Sequence, residues 1–295
     1  MTPPWVAAAL ALLALGACGG TPRTGGADES PRIVTAFYPL EFAAERVGGK
    51  AVVLESLTPS GVEPHDLELS SDQIRDIASA DLVVYLGQGF QPAVEDAVAG
   101  LDESQRFDAL EGKELMQGLE GEDEMAVDPH IWLDPSLMAT IADQLAARLA
   151  DLDSNGPGGY RENAEGLQEE LMRLDRDYSQ GLEQCSTREF VTSHAAFGYL
   201  AARYRLEQVS VAGIDPEAEP SPQRLAQIAR FVEQHDVRTI FFEELAPPDL
   251  AETLARETGA ETDTLSPLET PPEQGDYLGV MRSNLESLRS ALDCD

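Results

Sequence analysis

The sequence predicts an α/β protein of two lobes, each a mainly parallel sheet with helices, joined by a long rigid helix. Three observations predict it. Short apolar strands alternate with helices of about ten residues, the pattern recurs in the second half, and the stretch between is almost wholly helical. In order, "RIVTAF" (32–37) reads as a strand, "PLEFAAERVGG" (39–49) as a helix closed by glycine, and "AVVLESL" (51–57) as a strand. "SSDQIRDIASA" (70–80) reads as a helix and "DLVVYLG" (81–87) as a strand. The middle opens with "PSLMATIADQLAARLADL" (135–152) and breaks at "DSNGPGG". A run from 160 to 184 follows, with Leu167, Leu171 and Leu174 at helical spacing. At ~1.5 Å per residue it would span about 35–40 Å, enough to cross both lobes as a strut. The second half repeats strands at "REFVTS", "EQVSVAG", "VRTIFFEE" and "AETDTL". Helices "HAAFGYLAARY", "SPQRLAQIARFVEQH", "PPDLAETLARETG" and "GDYLGVMRSNLESLRSAL" accompany them. Ligands of such folds bind in the crevice at the carboxyl ends of the strands, here between the lobes.

The net charge of −34 over 295 residues argues against nucleic acid or an anionic membrane surface as a partner, since both repel such a chain. Most of that charge reads as a solvated acidic surface. The N-terminus points outside the cytoplasm. Trp5 to Leu15 is an apolar run too short to span a bilayer and suited to the core of a signal peptide. It leads into Leu15-Gly16-Ala17-Cys18, which resembles the lipobox of bacterial lipoproteins, although "MTPP" ahead of it holds no Lys or Arg. "GGTPRTGGADESP" then reads as a flexible tether. The expected division is 1–17 signal peptide, 18–31 tether, 32–136 first lobe, 137–183 helical linker and 184–295 second lobe. With Cys18 lipidated, Cys185 and Cys294 remain as a pair in an oxidising compartment, where a disulfide is expected.

Three of the four histidines share a positional logic. His65 lies in "TPSGVEPHDLELS", after the second strand. His130 lies in "VDPHIWLDP", between two Asp-Pro pairs whose prolines stiffen the backbone. His194 lies in "FVTSHAAFGYL", directly after the first strand of the second lobe. Each taken singly is more often a structural histidine; three on strand ends and stiff loops suit a metal ion or a catalytic centre. His235 closes a helix in "VEQHDV", where an imidazole favourably meets the C-terminal dipole.

"GVEPHDLELSSDQIRDIASADLVVYLGQG", "VDPHIWLDP" and "TSHAAFGYL" resemble the motifs of the zinc/manganese solute-binding lipoproteins of ABC importers, from about Arg32 to the C-terminus. The resemblance implies two βα lobes on a rigid backbone helix, with one metal ion between them held by His65, His130 and His194. It also implies a monomer that delivers its ion to an ABC transporter membrane permease. Manganese-preferring members tend to carry a carboxylate at the third position, where this chain has His194. Imidazole donors also favour Zn²⁺, whereas Mn²⁺ prefers carboxylates and water. Asp128, Asp134, Asp66 and Glu243 are candidates to orient the rings.

Two features depart from the pattern. The usual His-rich loop before the Asp-Pro-His motif is replaced by an acidic stretch without histidine, 118–126. An Asp that many members carry near the end is replaced by Ser266 in "TLSPLET", three residues before Glu269. A neutral hydroxyl is a weak zinc ligand, so Glu269 is expected as the fourth, with water as the alternative. The leading reading is thus a lipid-anchored, extracytoplasmic, non-enzymatic zinc-binding protein. The rivals are a manganese-specific protein of the same type, a secreted zinc hydrolase with an open coordination position, and a surface adhesin.

Overall fold

The computed structural model of the chain describes residues 30–117, 127–153, 158–217, 220–243 and 249–295. The leader with Cys18 and the acidic stretch 118–126 lie outside the described residues. Strand β1 (Arg32–Thr35) pairs with β2 (Val53–Ser56) on one side and β3 (Leu82–Tyr85) on the other. A short β4 (Arg106–Asp108) completes the order β2-β1-β3-β4, all parallel. Ile33, Val34 and the run Leu82 to Val84 are buried, as expected of strands covered on both faces. Helices α1 (Tyr38–Gly48), α2 (Ser71–Ser79) and α3 (Pro92–Val98) form the crossovers. α3 and β4 were not predicted. A seven-residue helix and a three-residue strand, "RFD", are too short to show a period.

Helices α4 (Pro135–Leu152) and α5 (Tyr160–Gly181) pack against each other between the two sheets in sequence. Pro135 and the Asp134 side chain, which accepts from the Ser136 and Leu137 amides, start α4 sharply. α5, at 22 residues about 33 Å long, is the strut. Near its start Asn163 donates to the Val47 carbonyl at 2.9 Å, and at its middle Glu170 pairs with Arg46 at 2.8 Å. Near its end Tyr178 Oη donates to the Met281 carbonyl at 2.6 Å. One helix thus touches both lobes.

The second lobe has strands β5 (Glu189–Thr192), β6 (Glu207–Ser210), β7 (Thr239–Phe242) and β8 (Glu261–Thr264). Their order, β6-β5-β7-β8, repeats the first lobe's, again all parallel. Helices α6 (Gly198–Tyr204), α7 (Pro222–Gln234), α8 (Asp249–Thr258) and α9 (Tyr277–Ala291) complete it. The helix expected from His194 begins only at Gly198. The His194 amide donates to a Glu243 carboxylate oxygen, and the Ala195 amide to the Gly213 carbonyl. The His194 carbonyl, which a helix from there would use for its first backbone bond, accepts instead from Thr192 Oγ1 and Gln208 Nε2. One hydrophobic core runs from β1 through α4 and α5 into α6 and α9, and a smaller one lies under α7 and α8. Cys185 and Cys294 are disulfide-bonded, joining the segment after α5 to the chain's last residues.

Where α5 meets the second lobe, Asp175 Oδ1 accepts from Arg203 Nε at 2.6 Å and Tyr204 Oη at 3.0 Å. Burial alone would raise the Asp175 carboxyl. The Arg203 guanidinium and the Tyr204 hydroxyl outweigh it and hold the group below its usual value. A depressed carboxyl contributes stability above its unfolded value, near pH 4, and loses it as pH falls through the folded value. Asp175→Asn should therefore cost about 2 kcal/mol at pH 7, and the difference from wild type should shrink below about pH 4. Urea unfolding at pH 7 and pH 3 checks this; an equal gap at both would contradict it.

Candidate metal centre

The loop from β2 to α2 carries His65. Both of its ends are fixed: Leu57 donates its amide to the Thr35 carbonyl, and Gln73 Nε2 reaches back to the Leu57 carbonyl at 2.6 Å. Ser70 and Gln73 cap α2 reciprocally, so the loop cannot slide into the helix. Glu63 Oε1 accepts the His65 amide at 3.2 Å. Its carboxyl is pushed up to about 8, first by burial and then by the charge of Glu269. His130 heads the short turn Ile131–Leu133 before α4, and His194 follows β5. Glu269 lies in the loop after β8.

These four side chains, drawn from both lobes and the segment before α4, converge. Each offers one ligand atom, and the four atoms all lie within 4.8 Å of one another. Glu269 Oε1 is 3.4 Å from His65 Nε2, 3.4 Å from His130 Nε2 and 3.6 Å from His194 Nε2. The His130 and His194 rings are fully buried, and the His65 ring is 5% exposed. Glu269 and His65 stand at ion-pair distance, yet hydrogen-bond geometry is not met. His65 Nε2 and Glu269 Oε1 are buried polar atoms without a hydrogen-bond partner among the described residues. A cation touching both would satisfy them.

Two of the rings are oriented from behind. His130 Nδ1 lies 2.8 Å from Asp128 Oδ1, which also accepts the His130 amide. His194 Nδ1 lies 2.5 Å from Glu243 Oε2, while Glu243 Oε1 accepts from the Ser193 hydroxyl and the His194 amide. A carboxylate facing Nδ1 holds the proton there, so in the neutral ring the Nε2 lone pair faces the centre. Of the four candidate orienting carboxylates, Asp128 and Glu243 take this role. Asp134 caps α4, and Asp66 is exposed. Burial opposes charge on His194, but Glu243 and Glu269 outweigh it and hold the imidazole well above its usual value. At His130, Asp128 and Glu269 overcome burial in the same sense. Burial lowers His65 and outweighs Glu269; among the described residues no carboxylate pairs with its other ring nitrogen. The three imidazoles in turn hold Glu269 well below the usual carboxylate range, against its burial.

Ser266 faces elsewhere. Its amide donates to Asn284 Oδ1 at 3.0 Å, its carbonyl accepts from Asn284 Nδ2 at 2.7 Å, and its hydroxyl accepts the Leu268 amide. It shapes the turn that presents Glu269. His235 stacks on Phe231 at the end of α7, beside Glu189.

Residues 33–291 match the family model described as "Zinc-uptake complex component A periplasmic". The "High-affinity zinc uptake system protein ZnuA" of Bacillus subtilis is 35% identical, over 96% of this chain and 95% of its own length. The "Zinc-binding lipoprotein AdcA" of Streptococcus pneumoniae is 35% identical over 97% of this chain, which spans 60% of that longer protein. Its Zn(II)-bound crystal structure superposes with a TM-score of 0.79 over 90% of this chain and 59% of that one, at 34% identity. The laminin binding protein Lmb of Streptococcus agalactiae, described as having adhesin and metal transporting activity, superposes with a TM-score of 0.82. It is 34% identical, over 90% of this chain and all of that one. With both parallel-sheet lobes and the sequence of 33–291 in agreement, the chain belongs to the ZnuA family, the periplasmic component A of zinc-uptake complexes.

Proposed function

We propose that this protein captures Zn²⁺ outside the cytoplasm and passes it to an ABC permease for import, with His65, His130, His194 and Glu269 as the ligands. The single observation that carries this is the buried convergence of three imidazole nitrogens on one carboxylate oxygen. Three neutral nitrogens and one anionic oxygen match the number, type and charge of donors that tetrahedral Zn²⁺ takes. The same set is poor for Mn²⁺, which seeks more oxygen ligands. It also leaves no position for a reactive water, which disfavours the hydrolase reading and supports a non-enzymatic role. The names of the zinc-uptake and zinc-binding relatives point the same way.

The test is metal content. Purified chain freed of metal and offered equal Zn²⁺ and Mn²⁺ should retain one Zn²⁺ per molecule and exclude Mn²⁺. Retention of manganese, or of neither ion, would refute the proposal.

We further infer that Cys18 anchors the monomer to the membrane by its lipid, with 18–31 as tether and 32–136 and 184–295 as the lobes that enclose the ion. The motif "LGAC" and a relative named a lipoprotein support this. Stable attachment takes two or more acyl chains. Cys18→Ala should shift the protein from the membrane fraction to the soluble one or stall its processing. Unchanged fractionation would remove the anchor.

A further inference from the structure

The Glu269 turn is held from two sides by groups outside the four-residue cluster. From α9, Asn284 grips both the amide and the carbonyl of Ser266, and is itself 3% exposed. From the segment before α4, Trp132 Nε1 donates to the Pro267 carbonyl at 2.7 Å, across 135 residues of sequence. Between these grips Leu268 sits at φ 60°, a left-handed conformation that a branched residue rarely adopts unless its surroundings enforce it. That single residue turns the chain so that Glu269 points at the histidines.

Trp132 also packs on His130 and, through Phe90, reaches His65. Its ring centroid lies 5.0 Å from that of His130 and 5.7 Å from that of Phe90, and Phe90 meets the His65 ring edge-on at 4.6 Å. Its own carbonyl accepts from Tyr277 Oη, at the start of α9. It is 1% exposed.

We propose that Trp132, through its indole N–H on the Pro267 carbonyl, is a positioning residue that aims Glu269 at the ion, with Asn284 as the opposite half of the same clamp. The inference rests on the reading of Glu269 as a ligand. The clamp joins the segment carrying His130 to the loop carrying the carboxylate, so the fourth ligand is set in the frame of the first lobe's aromatic cluster. Phenylalanine at 132 keeps an aromatic ring beside His130 and Phe90, removes the donor and leaves part of the indole's space empty, a packing loss that is the same in the Glu269→Ala background.

Zinc affinity, measured by competition with a chelator, separates this from a general packing role. Trp132→Phe should weaken binding about tenfold in the otherwise wild-type chain. In the Glu269→Ala background the same change should cost less than about twofold, because the group it positions is gone. Asn284→Asp keeps the acceptor for the Ser266 amide but turns a carboxylate oxygen on the Ser266 carbonyl. It should show the same dependence on Glu269, and it serves if Trp132→Phe does not fold. Unchanged affinity in Trp132→Phe, or equal losses in both backgrounds, would overturn the clamp while leaving Glu269 a ligand. Native affinity in Glu269→Ala alone would instead overturn the ligand assignment, and the clamp with it.

Discussion

Replacing His130 with alanine is expected to weaken zinc binding by roughly a hundredfold or more, the largest effect of any single change at the site. Outer partners of a ligand alone are commonly worth about 10- to 100-fold, and His130 is placed here as a ligand with such a partner. Its ring is fully buried between Asp128 on one nitrogen and Glu269 on the other. Removing it takes away one donor and leaves the Asp128 carboxylate without the ring it faces. Three donors would remain, and water would have to enter a closed space to replace the fourth. Chelator competition reads the result directly. An affinity within about threefold of wild type would show that His130 is structural.

The second large effect concerns stability. Cys185→Ser with Cys294→Ser should lower the unfolding free energy by about 2–5 kcal/mol, because the bond closes a loop of 109 residues. For a chain of this size that is a drop in midpoint of about 5–15 °C. The tail is also held by backbone bonds: the Ser186 amide donates to the Leu292 carbonyl, and the Asp295 amide to the Gln184 carbonyl. α9 keeps its buried Tyr277, Met281 and Leu288. Zinc affinity at 25 °C should therefore change little while the melting point falls. Calorimetry of the double variant with and without zinc checks both halves. A midpoint within about 1 °C of wild type would mean that the bond adds nothing to stability.

Much of the fold was legible in the sequence because its signals are local. The strands of the first lobe from "RIVTAF" to "DLVVYLG" and the four of the second each carry two or more β-branched or aromatic residues, adjacent or alternating. The 160–184 run carries leucines at helical spacing on an otherwise charged surface. What was not legible depends on distant partners. α6 starts only at Gly198, since Thr192 and Gln208 claim the His194 carbonyl that an earlier start would use. β4 is a strand because β3 pairs with it, not because "RFD" prefers to be one.

The site divides along the same line. Three histidines on stiff loops were visible one motif at a time, and the resemblance ordered them. Which carboxylates stand behind them was not visible, since Asp128 is two residues from its ring but Glu243 is 49 residues from His194. Sequence also set Ser266 beside Glu269 as rivals for one position. The geometry gives them different work, one bending the turn and the other facing the histidines. Trp132 could be noticed beside His130, but its bond to the Pro267 carbonyl exists only once the lobes are together.

X-ray absorption at the zinc edge of the loaded chain reads the ligand shell itself. A four-coordinate ion with three imidazole nitrogens and one oxygen at about 2.0–2.2 Å is expected, the oxygen shell changing in Glu269→Ala. Fewer than three imidazoles, a five- or six-coordinate shell rich in oxygen, or an oxygen shell indifferent to Glu269→Ala would contradict it.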